Sequence, residues 1–229
     1  MSAPATPNAD IAMRLAEHAL GQPALAADEL ERIAAGVAAM QEPVAQLPSA
    51  GRYGYAATPE AAPHESWSAM LEHLLDRSRR RIDAARLFDA GPVDAVAQLI
   101  RRERDVLDAM PATPFLHDTT TKNVIITEAG RLPGIVDVDD LCFGDPRFTP
   151  ALTLASLTDS SSSTFYIEAW MRVAGHVDDR IFRLYVALCL LDFMAAHGHA
   201  FNDNPLPSNI EDRNRLLAHF TEALPRAQR

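Results

Sequence analysis

Phe115–Pro146 (FLHDTTTKNVIITEAGRLPGIVDVDDLCFGDP) concentrates the residues that could do chemistry. Asp118 is followed five residues later by Asn123. A short apolar run, 124–127, then leads through a polar turn (Glu128, Ala129, Gly130, Arg131) to a second run, 134–136. That second run opens directly onto Asp137, Asp139 and Asp140. Two apolar runs joined by a Gly-containing turn predict a β-hairpin. Such a hairpin would carry Asp137 back towards Asp118 and Asn123. Clustered oxygen ligands suit a hard cation such as Mg²⁺. A metal site with a spare carboxylate beside it is the equipment of phosphoryl transfer. The transfer needs a base at the acceptor hydroxyl and ligands for the metal that holds the nucleotide phosphates.

Elements that could position these groups are legible on both sides. Helical spacing of apolar residues predicts helices from Asp10 to Leu20 and from Ala27 to Gln41. Residues 43–64 carry repeated Pro and Gly, with Tyr53 and Tyr55 between them, and read as a long loop. The two tyrosines either line a pocket or pack an Ω-loop on the core. Ser66 predicts the N-cap of a long helix striped by Trp67, Met70, Leu71, Leu74 and Leu75. Arg77, Arg79, Arg80 and Arg81 spread around that helix and read as a solvated face. Gly91-Pro92 opens a further helix. Beyond the hairpin, helices are expected over Thr149–Leu157, over the FYIEAW segment with serines as turn and N-cap, and from Asp178 or Asp179 to the His197-Gly198-His199 segment. A last one is expected from about Asn209 to Ala223. Asp192 sits inside an apolar run, where a bare carboxylate is costly, so it must be paired or functional. The expected fold class is mainly helical α+β, with 1–9 as a disordered terminus and 10–229 as one helical lobe.

Composition narrows the partners. A net charge of −10 is wrong for nucleic acid and compatible with a cationic small molecule. No apolar run reaches the length of a membrane span. Two cysteines and no export signal at the N-terminus are the expectation for a cytoplasmic chain with reduced thiols. The histidines lack the spacing of metal ligands; His197 and His199 read as helix-end residues.

A lone D-x-x-x-x-N pattern carries little information. Here it is followed by strand, turn, strand, V-D-V-D-D and then Gly144-Asp145-Pro146. This composite resembles the aminoglycoside phosphotransferase and choline kinase-like family of small-molecule kinases, whose signature runs H-G-D-x-x-x-x-N and then I-D-[FW]-x-[DE]-x-x-x-G-D-P. More loosely, the resemblance extends over about residues 10–200. It implies the helical C-terminal lobe of the protein-kinase-like fold. It also implies ATP or GTP as donor, Mg²⁺ as cofactor and a small-molecule hydroxyl as acceptor. Asp118 would be the catalytic base, and Asn123 and Asp137 the Mg²⁺ ligands. His117, Lys122, Asp139, Asp140 and Asp145 would support them, with Asp145 shaping the catalytic loop by hydrogen bonds. Asp192 is a candidate for the substrate side.

Two departures stand out. Leu116 occupies the family's His position and His117 its Gly position, so His117 would have to brace the loop from a new direction. No Gly-rich loop or lysine precedes Lys122, and the nucleotide-binding N-terminal lobe is expected to be missing. Three readings therefore stand. One is a phosphotransferase lobe, and one a truncated, non-catalytic remnant that binds a ligand or partner. The third is a metal hydrolase built on Asp137, Asp139 and Asp140.

Overall fold

Trp67 is fully buried, and the core is arranged around it. The indole has the rings of Tyr53, Phe115, Phe148 and Tyr185 within 6.5 Å, three of them edge-on. Edge-to-face contacts of this kind add to area burial. The computed structural model describes residues 27–120, 123–127, 132–138, 141–160, 164–201, 204–205 and 208–228. The predicted helix from Asp10 to Leu20, the terminus 1–9, the turn 128–131 and the serines 161–163 lie outside the described residues.

Helix α1 (Ala27–Ala45) buries Ile33, Ala34, Val37 and Ala38 on one face and continues through Pro43. Helix α2 (Trp67–Ala85) starts where expected, with the Ala69 N–H donating to Ser66 Oγ at 3.2 Å. Its buried residues, from Trp67 and Met70 through Leu74 and Ser78 to Ile82, follow the helical period and form one stripe. Helices α3 (Gly91–Arg102) and α4 (Arg104–Asp108) flank it. Beyond the central strands come α5 (Phe148–Asp159), α6 (Phe165–Val173), α7 (Arg180–Ala196) and α8 (Ile210–Gln228). Helix α7 is buried over most of its circumference and packs against α2, α3, α5 and α8, which makes it the central helix. Asp179 caps it by accepting from the Phe182 N–H at 2.9 Å. Thr164, rather than a serine, occupies the N-cap of α6.

The strands correct one expectation. Residues 43–64 are not structureless: Gly54–Ala56 forms β1, Pro59–Ala61 a 3₁₀ turn, and Tyr53 bridges His64. Strand β1 joins β2 (Thr113–Leu116) and β5 (Leu141–Gly144) in an antiparallel sheet of order β1-β5-β2. Each of these strands is only three or four residues long and each carries a Pro or a Gly, so the period-2 signal is too short to read. The predicted hairpin is present as β3 (Val124–Ile125) and β4 (Gly134–Ile135), with Val124 opposite Ile135. A further small hairpin pairs β6 (Ala200–Phe201) with β7 (Asn204–Pro205).

Both cysteines are free and buried, Cys142 in the middle strand of the sheet and Cys189 on α7. Burial raises both thiol pKa values well above the ordinary range. Among the described residues no helix is long and apolar enough to cross a membrane.

Candidate active site

The site is reached by following β2 off its C-terminal end. Leu116 is the last residue of an edge strand, and two side chains from outside the sheet hold its backbone. Gln41 on α1 donates from Nε2 to the Leu116 carbonyl at 3.0 Å, and its Oε1 accepts from the Leu116 N–H at 2.9 Å. Thr149 Oγ1 on α5 donates to the same carbonyl at 2.9 Å.

The His117 ring lies between two aromatics. It stacks on Phe148 with centroids 5.8 Å apart and meets Tyr55 edge-on at 4.6 Å. The Tyr55 hydroxyl is 3.3 Å from Nε2. Burial pushes the imidazole pKa down to about 4, against the opposing pull of the Asp118 carboxylate. The ring is therefore neutral at pH 7, and it braces the loop by packing.

Asp118 then turns the chain. Its Oδ1 accepts from the Thr120 N–H at 3.2 Å and from Thr120 Oγ1 at 2.7 Å, an Asx-type turn. The Asn123 Nδ2 reaches back to the Asp118 carbonyl at 3.0 Å, closing the loop between them. The Asn123 carbonyl in turn accepts from the Val136 N–H at 2.8 Å, which ties the end of β4 to the loop. Asp137 follows at once. It is exposed, and its φ of +60° lies in the left-handed region that non-glycine residues rarely occupy. Among the described residues, Asp137 makes no hydrogen bond or ion pair. The hairpin thus brings Asp118, Asn123 and Asp137 to one end, as the spacing predicts.

The donor set fits a hard cation. Mg²⁺ is commonly held by one or two protein oxygens, with waters and substrate phosphates completing the shell. Asn123 commits its Nδ2 to the loop, which leaves Oδ1 as the oxygen for a metal, and the Asp137 carboxylate is unengaged. Among the described residues no three His, Cys, Asp or Glu side chains gather as a metal cage, so an all-protein site is not what this end offers.

Asp145 departs from its expected role. Its carboxylate is buried at 5% exposure and binds Arg147 through the backbone N–H, Nε and Nη2 at 2.7–3.1 Å. The Tyr185 hydroxyl donates to its Oδ2 at 2.9 Å, and Trp67 Nε1 donates to Tyr185 at 2.8 Å. Arg147 reaches on to Asp179 at 2.9 Å. Burial opposes the guanidinium charge, but the Asp145 hydrogen bonds outweigh it and hold the Arg147 pKa above its usual value. Asp145 therefore welds β5 to α5 and α7 instead of bonding the 116–120 loop. Gly144 is required beside it, because a Cβ there would fall 2.2 Å from the Trp67 ring.

Asp192 is paired. Arg77 Nη2 donates to both its oxygens at 3.0 Å and Ser78 Oγ to one at 2.9 Å. The expected solvated arginine face holds for Arg80 and Arg81, which are exposed, while Arg79 pairs with Asp94 and Arg77 turns inward. With Tyr55 and His117, the Arg77–Asp192 pair lines a hollow of about 50 Å³ behind the loop. A larger hollow of about 530 Å³ lies away from Asp118, between α5, α6, α7 and α8. His197 bonds Ser208 and His199 bonds the Arg81 carbonyl, as helix-end residues do. Lys122, Asp139 and Asp140 lie outside the described residues. Sequence reading missed Gln41, Thr149 and Tyr185, whose partners are distant in sequence, and Arg147, which bonds Asp145 two residues away.

A family model described as the phosphotransferase enzyme family matches residues 6–185. The chain belongs to that family. Its fold agrees with solved members of the kinase-like group. An apo thermostable mutant of aminoglycoside phosphotransferase APH(4)-Ia aligns with a TM-score of 0.59 at 17% identity, over 88% of this chain and 67% of that one. Choline kinase LicA from Streptococcus pneumoniae aligns with a TM-score of 0.54 at 13% identity, over 87% and 64%. ADP-bound aminoglycoside phosphotransferase APH(2'')-Ib aligns with a TM-score of 0.52 at 14% identity, over 89% and 66%. At these identities the likeness establishes the fold. The chain spans about two thirds of the length of these phosphotransferase-family structures. Comparison with curated proteins gave no match.

Proposed function

We propose that the chain is a phosphotransferase lobe that moves the γ-phosphoryl group of ATP or GTP onto a hydroxyl of a small molecule of the aminoglycoside or amino-alcohol kind. The observation that carries this reading is the closed loop from Asp118 to Asn123, tied by Val136 to Asp137. In this reading the Asp118 carboxylate orients the acceptor hydroxyl and takes its proton as the oxygen attacks phosphorus. The bond to the β-phosphate oxygen breaks, and the nucleoside diphosphate leaves. Asn123 Oδ1 and the Asp137 carboxylate would hold Mg²⁺, whose charge offsets that of the β- and γ-phosphates. The strained backbone at Asp137 supports a functional role, since such outliers cluster at ligand clamps. The net charge of −10 favours a cationic acceptor. Asp139, Asp140 and Lys122 would keep the supporting roles that the resemblance implies, and Asp192 would serve through its pairing with Arg77. Residues 10–229 would act as one lobe.

The solved relatives support the nucleotide, since one is ADP-bound and another holds AMP-PNP with hygromycin B. The test is a thermal shift with Mg-ATP and Mg-GTP, followed by turnover on a panel of aminoglycosides and amino alcohols. A shift with turnover that Asp118→Asn abolishes is expected; no shift and no turnover overturn the reading. A non-catalytic binding domain is the second reading. Nucleotide or ligand binding without turnover would select it.

A further inference from the structure

We propose that Gln41 is a positioning residue for Asp118, acting as a one-residue substitute for a strand that β2 lacks. The catalytic part of this inference rests on the phosphotransfer reading above; the structural part does not.

Strand β2 lies at the edge of the sheet, with β5 on its one paired side. In an antiparallel ladder the backbone groups of successive residues point alternately to the partner and away from it. Leu116 directs its N–H and C=O away from β5, where an edge strand leaves them unpaired. The Gln41 side chain fills that gap with its own amide, at 2.9 and 3.0 Å. Only an amide can do this. A carboxylate would set an oxygen against the Leu116 carbonyl, and a lysine or arginine could not accept from the N–H. The pairing also fixes which way the Gln41 amide faces, since only one orientation satisfies both bonds.

The loop that follows is internally closed, by Thr120 on the Asp118 carboxylate and by Asn123 on the Asp118 carbonyl. Those bonds set its shape. Its place relative to the helices comes from outside anchors, and Gln41 provides two of the bonds immediately before His117 and Asp118. The anchor is itself rigid. Helix α1 buries Ile33, Ala34, Val37 and Ala38, packs on α6, and pairs Glu31 with Arg172 at 3.3 Å. A side chain reaching from a fixed helix holds a reactive group more closely than a loop contact does. A misplacement of about 1 Å is enough to cost on the order of 10²-fold in rate.

The experiment compares Gln41→Met, which keeps the length but loses both bonds, with Gln41→Glu, which keeps one acceptor. Thr149→Val, which removes only the other donor to the Leu116 carbonyl, serves as the control. Amide exchange is followed residue by residue by NMR. We expect the Leu116 amide to exchange at least about 10-fold faster in both Gln41 variants, with amides of α2 and α7 unchanged. Thr149→Val should leave the Leu116 amide protected. In turnover, kcat should fall about 10- to 100-fold in the Gln41 variants, with acceptor KM within about twofold. Unchanged Leu116 exchange, or an equal rise across α2 and α7, overturns the clamp. Lost protection with unchanged kcat overturns the positioning role. Should the native chain show no turnover, the phosphotransfer reading fails and the catalytic role of Gln41 fails with it. The exchange data still decide the clamp.

Discussion

Asp145 and Asp137 belong to one short stretch and sit in opposite surroundings. Asp145 is 5% exposed, and Arg147 and Tyr185 saturate its oxygens. Asp137 is exposed, held in a left-handed backbone, and without a hydrogen bond among the described residues. The first carboxylate is spent on holding three elements together. The second is kept available at the cost of local strain. A scaffold that satisfies its own buried charges lets the neighbouring hairpin present oxygens that no described residue neutralises.

The largest effects should come from breaking the buried side. Asp145→Ala would leave the Arg147 guanidinium without its main partner at 13% exposure, and should cost about 3–5 kcal/mol. Chemical denaturation measures this, and a loss under about 1 kcal/mol would refute the welding role. Asp118→Asn and Asp137→Asn should do the reverse. Unfolding free energy should stay within about 0.5 kcal/mol, while phosphotransfer falls on the order of 10²-fold or more. A variant in either position that unfolds the protein would erase the contrast.

Acid sharpens the same contrast by a smaller amount. His117, held at about 4 by burial, binds its proton more weakly in the folded chain than in the unfolded one. Between the unfolded value near 6.5 and about 4 the unfolded chain carries more protons, so stability falls as pH falls through that window. His64, His176 and His197 are lowered by burial too and add in the same direction. His117→Phe keeps a ring between Tyr55 and Phe148 and should reduce the stability lost between pH 7 and pH 4 by on the order of 2 kcal/mol. Denaturant midpoints from pH 7 to pH 4 check this, and an unaltered slope would show that His117 is hydrated.

Residues whose role follows from local order were legible. Ser66 read as one cap and Asp178 or Asp179 as another, of which the structure uses Asp179; the β3–β4 hairpin followed from its turn, and the Asp118–Asn123 spacing placed the loop. What stayed hidden was non-local. Strand β1 is three residues long and follows a run of Pro and Gly, and its partner β5 lies far along the chain. Without that sheet, the edge at Leu116 and its Gln41 partner had no signal at all. Asp145 illustrates a different failure: its motif predicts a contact with the loop, whereas Tyr185 and Arg147 supply better donors in a drier place. Asp192 resolved as paired because Arg77 turns inward from a helix whose Arg80 and Arg81 face water.

The two buried thiols make the molecule its own reporter. Cys142 lies in the middle strand beside the Gly144–Asp145 weld, and Cys189 lies on the central helix behind His117. Buried and with raised pKa values, neither supplies a thiolate to an alkylating reagent while the fold is closed. Labelling of Cys142 therefore times the peeling of the sheet, and labelling of Cys189 times the release of the helix. A single mass-spectrometric trace from the unmodified sequence would separate the two openings.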